Sequence, residues 1–274
     1  MKFGVREICD VVLKAKAENQ LVGTKKFSKG EPVMYFDSLK TSSMEGAATT
    51  VYAQGGRGNS RLVAWDGERT VTFTMEDALI SPMSFAILSG AGLMKAGEDD
   101  VESINVHMSE KVKLDETTGE ITLKGGTPVS SNDYPIWCMI LNDQDDIETT
   151  EKLEASSLTL EKYKGKIAII DYYVAKETGA TQIDIRPDQF GGNFYLEAST
   201  LFRTTEGVDM PAEFIIPNCK IQSNFTFTMA SSGDPSTFTF TMDAFPDYIG
   251  TGENRVNAHK VLAAIQIVEN TSTT

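Results

Sequence analysis

Two short runs constrain this chain more than any other feature. Phe225-Thr-Phe-Thr-Met229 and Phe238-Thr-Phe-Thr-Met242 alternate strictly between apolar and hydroxyl side chains. A strand turns successive side chains to opposite faces, so Phe225, Phe227 and Met229 share one face, as do Phe238, Phe240 and Met242. Threonine, a good strand former, lines the other side. Between the runs, Gly233-Asp234-Pro235 supplies turn chemistry: glycine for positive φ, proline for a fixed φ. The pattern predicts an antiparallel hairpin. Thr-Phe-Thr-Met occurs once more at Thr72–Met75, followed by Glu-Asp-Ala, much as Met242 is followed by Asp-Ala. A strand signal in both halves predicts one β architecture spanning the chain.

The rest of the chain reads as further strands. Val5–Lys16 suits a strand, and Glu31–Phe36 another, with Leu39–Glu45 continuing the pairing. Gly46–Ser60, rich in glycine near its end, reads as a long excursion closing in an exposed hairpin tip. Its glycines do not make a phosphate loop, because no Lys-Ser or Lys-Thr follows and a strand stands where a helix should begin. Arg61–Trp65 and Thr70–Met75 predict a second hairpin, turned at Asp66-Gly67. Ser81 to Gly90 predicts a short helix, with Ser81 as N-cap, Pro82 in the first turn and Gly90 closing the end.

From about 97 to 165 the character changes. Val101–His107 and Val112–Leu123 read as strands, the latter broken by a Thr117-Thr118-Gly119 turn. Asp133–Leu141 combines a turn with a buried strand, and Asn142–Glu154 reads as a solvated acidic loop. As a calcium loop starting at Asp143 it fails, with Ile147 at position five and Glu148 where glycine is required. The stretch 97–165 is expected to be a β-rich elaboration inserted into a main β domain of residues 1–96 and 166–274. In that second half, Lys166–Val174, Thr181–Arg186, Gly192–Arg203, Glu213–Ile216 and His259–Val268 predict strands, while Asn270–Thr274 is too polar to pack alone.

A chain of 274 residues with 41% hydrophobic residues is long enough for a well-filled core. No apolar run approaches the roughly 20 residues that cross a bilayer. The opening Met1-Lys-Phe-Gly-Val-Arg-Glu does not read as a signal peptide, so synthesis in a cytoplasm is expected. Cys9, Cys138 and Cys219 are widely spaced and outside any CxxC, which predicts reduced, buried, apolar residues. The formal net charge of −14 argues against a sequence-reading DNA-binding domain, which needs a basic patch. From charge alone simple solubility is the preferred reading, and a surface to which DNA must not adhere is compatible with it. No Gly-x-Ser-x-Gly, His-Glu-x-x-His or Walker sequence is present, and His107 and His259 stand far apart. No enzyme, cofactor or metal site is expected.

In four places the pattern resembles the bacteriophage tail tube proteins, the major subunits of the inner tail tube. They are Tyr52–Trp65 running into Thr72–Ala78, the Ser81–Gly90 helix, Ala168–Val174 leading to Tyr195–Arg203, and Phe214–Lys220 followed by the Phe-Thr-Phe-Thr-Met repeats. The resemblance covers residues 1 to about 95 and 165 to about 270. It implies a mainly β fold, a split β-sandwich or barrel with one short flanking α-helix, assembled as homohexameric rings stacked into the tube that conducts the genome. It also implies a virion tail location after assembly in the host cytoplasm. The implied partners are sibling subunits, a tape measure protein inside, a sheath outside if the tail contracts, and viral DNA in transit. Tyr52, Gln54, Gly55, Gly56, Arg57, Gly58 and Asn59 are the candidate inter-subunit loop that reaches a neighbouring ring. The alternatives are another β-rich virion component (capsid decoration, tail terminator or baseplate hub) and a carbohydrate-binding β-sandwich module.

Overall fold

The computed structural model describes residues 2–5, 7–98, 100–129, 131–154, 157–226, 231–232, 237–250 and 259–269. Met1–Leu93 together with Ile183–Thr274 forms one unit, and Met94–Gln182 a second. In chain order the elements are β1 (Phe3–Val5), β2 (Asp10–Ala15), β3 (Gln20–Val22), β4 (Lys25–Phe27), β5 (Pro32–Phe36), β6 (Leu39–Gly55), β7 (Ser60–Asp77) and α1 (Pro82–Ser89). After these come β8 (Gly92–Lys95), β9 (Ile104–Lys113), β10 (Ile136–Leu141), β11 (Ile147–Leu153), β12 (Ile167–Lys176) and β13 (Thr181–Asp184). The chain ends with β14 (Asn193–Thr204), β15 (Asp209–Ile221), β16 (Phe238–Ala244) and β17 (Ala264–Ile267). It is a mainly β protein of antiparallel sheets.

The first unit is built on a nine-stranded sheet ordered β5-β2-β14-β15-β16-β7-β6, with β1 also on β14 and β17 also on β15. Its register shows why Thr-Phe-Thr-Met recurs. The two copies lie side by side on β7 and β16, Phe73 opposite Met242 and Met75 opposite Phe240, with Thr74 opposite Thr241. Phe73, Met75, Phe240 and Met242 are buried, and so are Phe36, Leu13, Phe194, Leu196 and Ile216 from neighbouring strands. Ile87 and Leu88 of α1 pack against the same cluster. That helix begins where the sequence predicts. The Ser81 hydroxyl accepts from the Ser84 amide, the Ser84 hydroxyl accepts from the Ser81 amide, and Gly90 closes the helix at φ 69°.

Several expectations need correction. The Phe225 run does not form a hairpin with β16 in the described residues: Phe225 and Thr226 lie outside any strand, while Phe227 and Met229 fall outside the described residues. β16 pairs with β7 over Phe238–Asp243, and on its other edge with β15 only at Met242–Ala244. The ladder with β15 ends as the Gln222 amide donates to the Thr241 carbonyl, and Phe225 then meets Phe85 edge-on at 4.9 Å. Glu213–Ile216 proves to be the middle of the thirteen-residue β15, which absorbs Pro211 and Pro217. The β14 partner ladder shifts register between Phe194 and Leu196, close to Pro217, and such irregularities are where a strand tolerates proline. At the chain's end Ala264–Ile267 is the strand within His259–Val268, and Val261 bridges to Asp247.

The second unit carries a four-stranded sheet, β11-β10-β12-β9. Ile136, Cys138, Ile140, Ala168, Ile170 and Tyr172 form its buried face, with Leu114, Ile121 and Tyr163 over them. The sequence ends the insertion near 165, but the structure extends this unit to Gln182. β12 pairs with β10 on one edge and β9 on the other, so it lies wholly inside this sheet. The acidic stretch is also more ordered than a loop. Asn142–Asp146 is a tight turn in which the Asn142 carboxamide accepts from the Gln144 and Asp146 amides, and Ile147–Leu153 is a strand on β10. Its β-branched residues outweigh its charges, because Glu148, Thr150 and Lys152 project outward while Leu153 packs inward. Val101–His107 and Val112–Leu123 are not two strands. Ile104–Lys113 is one, and the Thr117–Gly119 turn follows it, held by the Asp115 carboxylate on the Thr117 and Thr118 amides.

Phe240→Ala removes a buried ring from the centre of the first unit and is expected to lower that unit's stability by about 3–5 kcal/mol in urea unfolding. Thr239→Ala, on the exposed side of the same strand, should cost less than about 1 kcal/mol. In the second unit, the Tyr172 hydroxyl and the Lys124 and Gly125 amides donate to the Glu110 carboxylate and hold its pKa below the ordinary 4.5. A lowered carboxylate pKa stabilises the fold above the unfolded value, and that contribution disappears as pH falls through the folded value. Glu110→Gln should therefore flatten the acid side of the second unit's stability profile below about pH 4.5, and an unchanged profile would count against this network.

Candidate functional site

β6 and β7 are far longer than the strands around them, at 17 and 18 residues. Their lower halves belong to the sheet, where Met44 faces Phe73 and Ser42 faces Met75. Beyond Gly46–Val71 the two strands continue as a two-stranded arm whose side chains are almost all exposed. A two-stranded ribbon without a third layer is marginal in water, so this arm relies on its backbone ladder and on its sequence-specific kinks.

The first kink is at Asp66-Gly67. That dipeptide does not turn the chain, as the sequence suggests, but sits inside β7 as a bulge. The register shifts between Ala48 and Thr50, and the Glu68 amide donates to the Thr49 hydroxyl at 2.9 Å. A Cβ on Gly67 would stand 2.5 Å from that hydroxyl, which is why glycine occupies the position. Arg61–Trp65 and Thr70–Met75 are consequently one strand, and its partner is β6. The bulge keeps the arm in register while strengthening its twist.

The second kink is the tip. Gly56–Asn59 forms the turn, with Gly56 at φ 79°, Gly58 at φ 87° and Asn59 at φ 50°, all in the left-handed region. The Asn59 amide donates to the Gly56 carbonyl, and its carboxamide nitrogen donates to Gln54 at 3.3 Å. The structure thus places Gly56, Arg57, Gly58 and Asn59 in the turn and Tyr52, Gln54 and Gly55 at the end of β6. The excursion read from Gly46 onward is strand up to Gly55, and only the last four residues before Ser60 leave the ladder.

Register divides the arm into two faces. Val51 opposes Trp65 and Ala53 opposes Val63 on one side, while Tyr52 opposes Ala64 and Gln54 opposes Arg61 on the other. Leu62, displaced by a register shift at Ala53/Gln54, comes within 3.5 Å of where a Gly55 Cβ would lie, which puts it on the Val51 side. Between Val51 and Ala53 the first face is therefore apolar. Val51, Leu62, Val63 and Trp65 are 63%, 65%, 48% and 56% exposed on it. The second face is polar, with the Arg61 guanidinium 4.0 Å from the centre of the Tyr52 ring. Along β6, the side bearing Met44 becomes the side bearing Tyr52, and the outward side bearing Glu45 becomes the side bearing Val51. The apolar stripe is on the reverse of the face that the subunit uses for its own core.

Cys9, Cys138 and Cys219 are buried free thiols, and burial pushes Cys138 up to about 11 and Cys219 up to about 12, so they stay protonated. His107 pairs with Asp171 at 2.8 Å on the exposed side of the second unit. Among the described residues no group of three or more histidine, cysteine or acidic side chains is placed to hold a metal ion. A cleft of about 340 Å³ beside α1 has Asp188 as its single titratable lining residue, and Arg186 engages that carboxylate.

The sequence singles out the tip but misses Val51, Leu62, Val63 and Trp65. The signal is present, since Val51-x-Ala53-x-Gly55 and Val63-x-Trp65 alternate. Reading Asp66-Gly67 as a turn hides it, because it assigns Trp65 to a different hairpin. The exposure of these side chains leads to a direct expectation. Leu62→Ser with Trp65→Ser should leave thermal stability within about 0.5 kcal/mol per site, since neither side chain is buried in the subunit. A large loss of stability would mean that the stripe packs on its own chain.

No curated protein matches the chain. A family model, the YomU/Tube protein family, matches residues 3–255, spanning both units and the whole arm. This agrees with the likeness to phage tail tube proteins carried by the Tyr52–Trp65 stretch and the Phe-Thr-Phe-Thr-Met repeats. By that match over most of its length, the chain belongs to the YomU/Tube protein family.

Proposed function

We propose that this chain is the repeating subunit of a phage tail tube, a structural virion protein that performs no reaction. Its copies close into homohexameric rings of the split β-sandwich type, and the rings stack into a conduit for genome ejection. Tape measure protein occupies the bore during assembly, a sheath surrounds the tube if the tail contracts, and the tube assembles in the host cytoplasm. The observation that carries this reading is the arm, with its apolar stripe turned away from the subunit's own core. Covering Val51, Leu62, Val63 and Trp65 is worth roughly 1.5–3 kcal/mol for each side chain fully removed from water. A protein built to remain a monomer rarely leaves such a stripe uncovered. Copies related head to tail cover it, and the same arrangement pairs exposed strand edges that would otherwise invite aggregation. The net charge of −14 supports the role in transit, because an acidic bore lets DNA slide without adhering.

Negative-stain microscopy of the purified protein tests this. Rings or tubes of uniform bore are expected, and Leu62→Ser with Trp65→Ser should abolish the tubes while leaving the subunit folded. A monomer that forms no rings or tubes at any accessible concentration would contradict the reading.

A further inference from the structure

The second unit carries an aromatic surface that its own core does not use. Cys138, Ile170 and Tyr172 are buried in that core, so Trp137, Asp171 and Tyr173 project from the opposite face of β10 and β12. In the ladder Trp137 lies opposite Asp171, and Tyr173 lies opposite His107 of β9. The Tyr173 ring meets the His107 ring at 5.3 Å and the Tyr134 ring at 4.9 Å. Trp137, one strand over and diagonal to Tyr173, is 40% exposed. Beside these rings the Asp171 carboxylate pairs with Nε2 of His107 at 2.8 Å.

A polar cavity of about 290 Å³ adjoins the rings. Ser131, Asn132 and Pro135 line it from the stretch leading into β10, and Lys152 and Glu154 from the end of β11 and just beyond. Cavity and rings share their framework. Tyr134 closes the turn at the cavity wall, its amide donating to the Ser131 carbonyl and hydroxyl. Lys152 lies directly opposite Trp137 in the β10–β11 ladder.

Charge selects the class of ligand. Residues 94–182 contain eighteen acidic residues, nine lysines and no arginine. The aromatic face departs from that balance, because Lys111, Lys113 and Lys152 stand on it together with Glu148 and Asp171. Asp145 engages Lys111, Glu116 engages Lys113 and Lys166 engages Glu148. Neither a polyanion nor a polycation meets an unopposed field there. A protein partner would have to desolvate those charges, at a cost its apolar contacts must exceed. An uncharged ligand with an apolar ring face and a rim of hydroxyls avoids both difficulties. Its C–H face covers an aromatic ring, and its hydroxyls bond to the polar groups in between.

We propose that the second unit binds a neutral polysaccharide, with one sugar ring stacked on Trp137 and a neighbouring ring held in the cavity by Ser131, Asn132 and Glu154. Tyr173 and Tyr134 extend the stacking surface. Equatorially linked chains of glucose or N-acetylglucosamine fit this arrangement, since their substituents leave both ring faces open. The inference concerns the second unit alone and is independent of the tube reading.

Isothermal titration of the full chain with cellohexaose and with chitohexaose tests the site and separates the two sugars. At least one is expected to bind with a Kd below about 1 mM, unchanged by added salt because the ligand carries no charge to screen. Trp137→Ala, which removes an exposed ring, should weaken binding at least roughly tenfold with the circular dichroism spectrum intact, while Trp137→Tyr should stay within about threefold of the unaltered protein. Asn132→Ala, in the cavity, should weaken binding roughly threefold or more. Failure of both sugars to bind would overturn the site and leave tube assembly untouched. Binding that survives Trp137→Ala would place the sugar elsewhere and overturn it as well. A Kd that rises steeply with salt would overturn the neutral class. No sugar binding, together with loss of tubes in Trp137→Ala, would make this face a contact between copies and overturn the proposal.

Discussion

The structure depends on one strand doing two things. The lower part of β7 is clamped between β16 and β6, where Phe73 and Met75 fill the centre of the first unit's core. The same strand then runs on past that core to Ser60 with only β6 beside it. Because the base is fixed by buried aromatic and methionine side chains, the direction in which the arm leaves the sheet is fixed too. An arm hinged on a flexible loop would lose entropy each time it docked; one that continues a core strand has lost most of it on folding.

The arm also shows how register converts composition into a surface. Side-chain period two would carry the core face of β7 unchanged to the tip, but the bulge at Gly67–Glu68 inserts an extra residue and changes which β7 side chains share a face. With the bulge, Trp65 and Val63 join Val51 and Ala53, and the apolar side chains of both strands collect on one side. Without it, Trp65 would lie opposite its present side, and the stripe would be split between two faces. Thr49 and Gly67 are therefore as important to the arm's chemistry as the apolar residues themselves, although neither is apolar enough to attract notice.

Much of the fold is legible in the sequence because its strands alternate cleanly. The recurring Thr-Phe-Thr-Met marks the core strands, and Ser81, Pro82 and Gly90 mark both ends of α1. What the sequence leaves open is partnership. Phe225–Met229 has the same pattern as Phe238–Met242, yet β16 takes its neighbours from β7, remote in sequence, and from β15, the strand just before it in the chain. The acidic stretch misleads for a different reason: charge density describes the exposed side of β11 and is silent about Leu153 on the other. Asp66-Gly67 is a hairpin signal in isolation and becomes a bulge only because β6 lies alongside. The tip residues Gly56–Asn59 are readable, since three demands for positive φ within four residues leave few residue choices. The apolar face behind them is not, because it exists only once the two strands are set in register.

The central claim is that the apolar face of the arm is uncovered in the subunit and covered by siblings. Trp65 reports on it directly. In a Trp137→Phe background, which leaves Trp65 as the only tryptophan of the chain, acrylamide quenching compares dissociated subunits with assembled protein. The account predicts ready quenching of Trp65 in the subunit and strong protection, with a blue-shifted emission, on assembly. Equal quenching in both states, or protection already in the dissociated subunit, would contradict it.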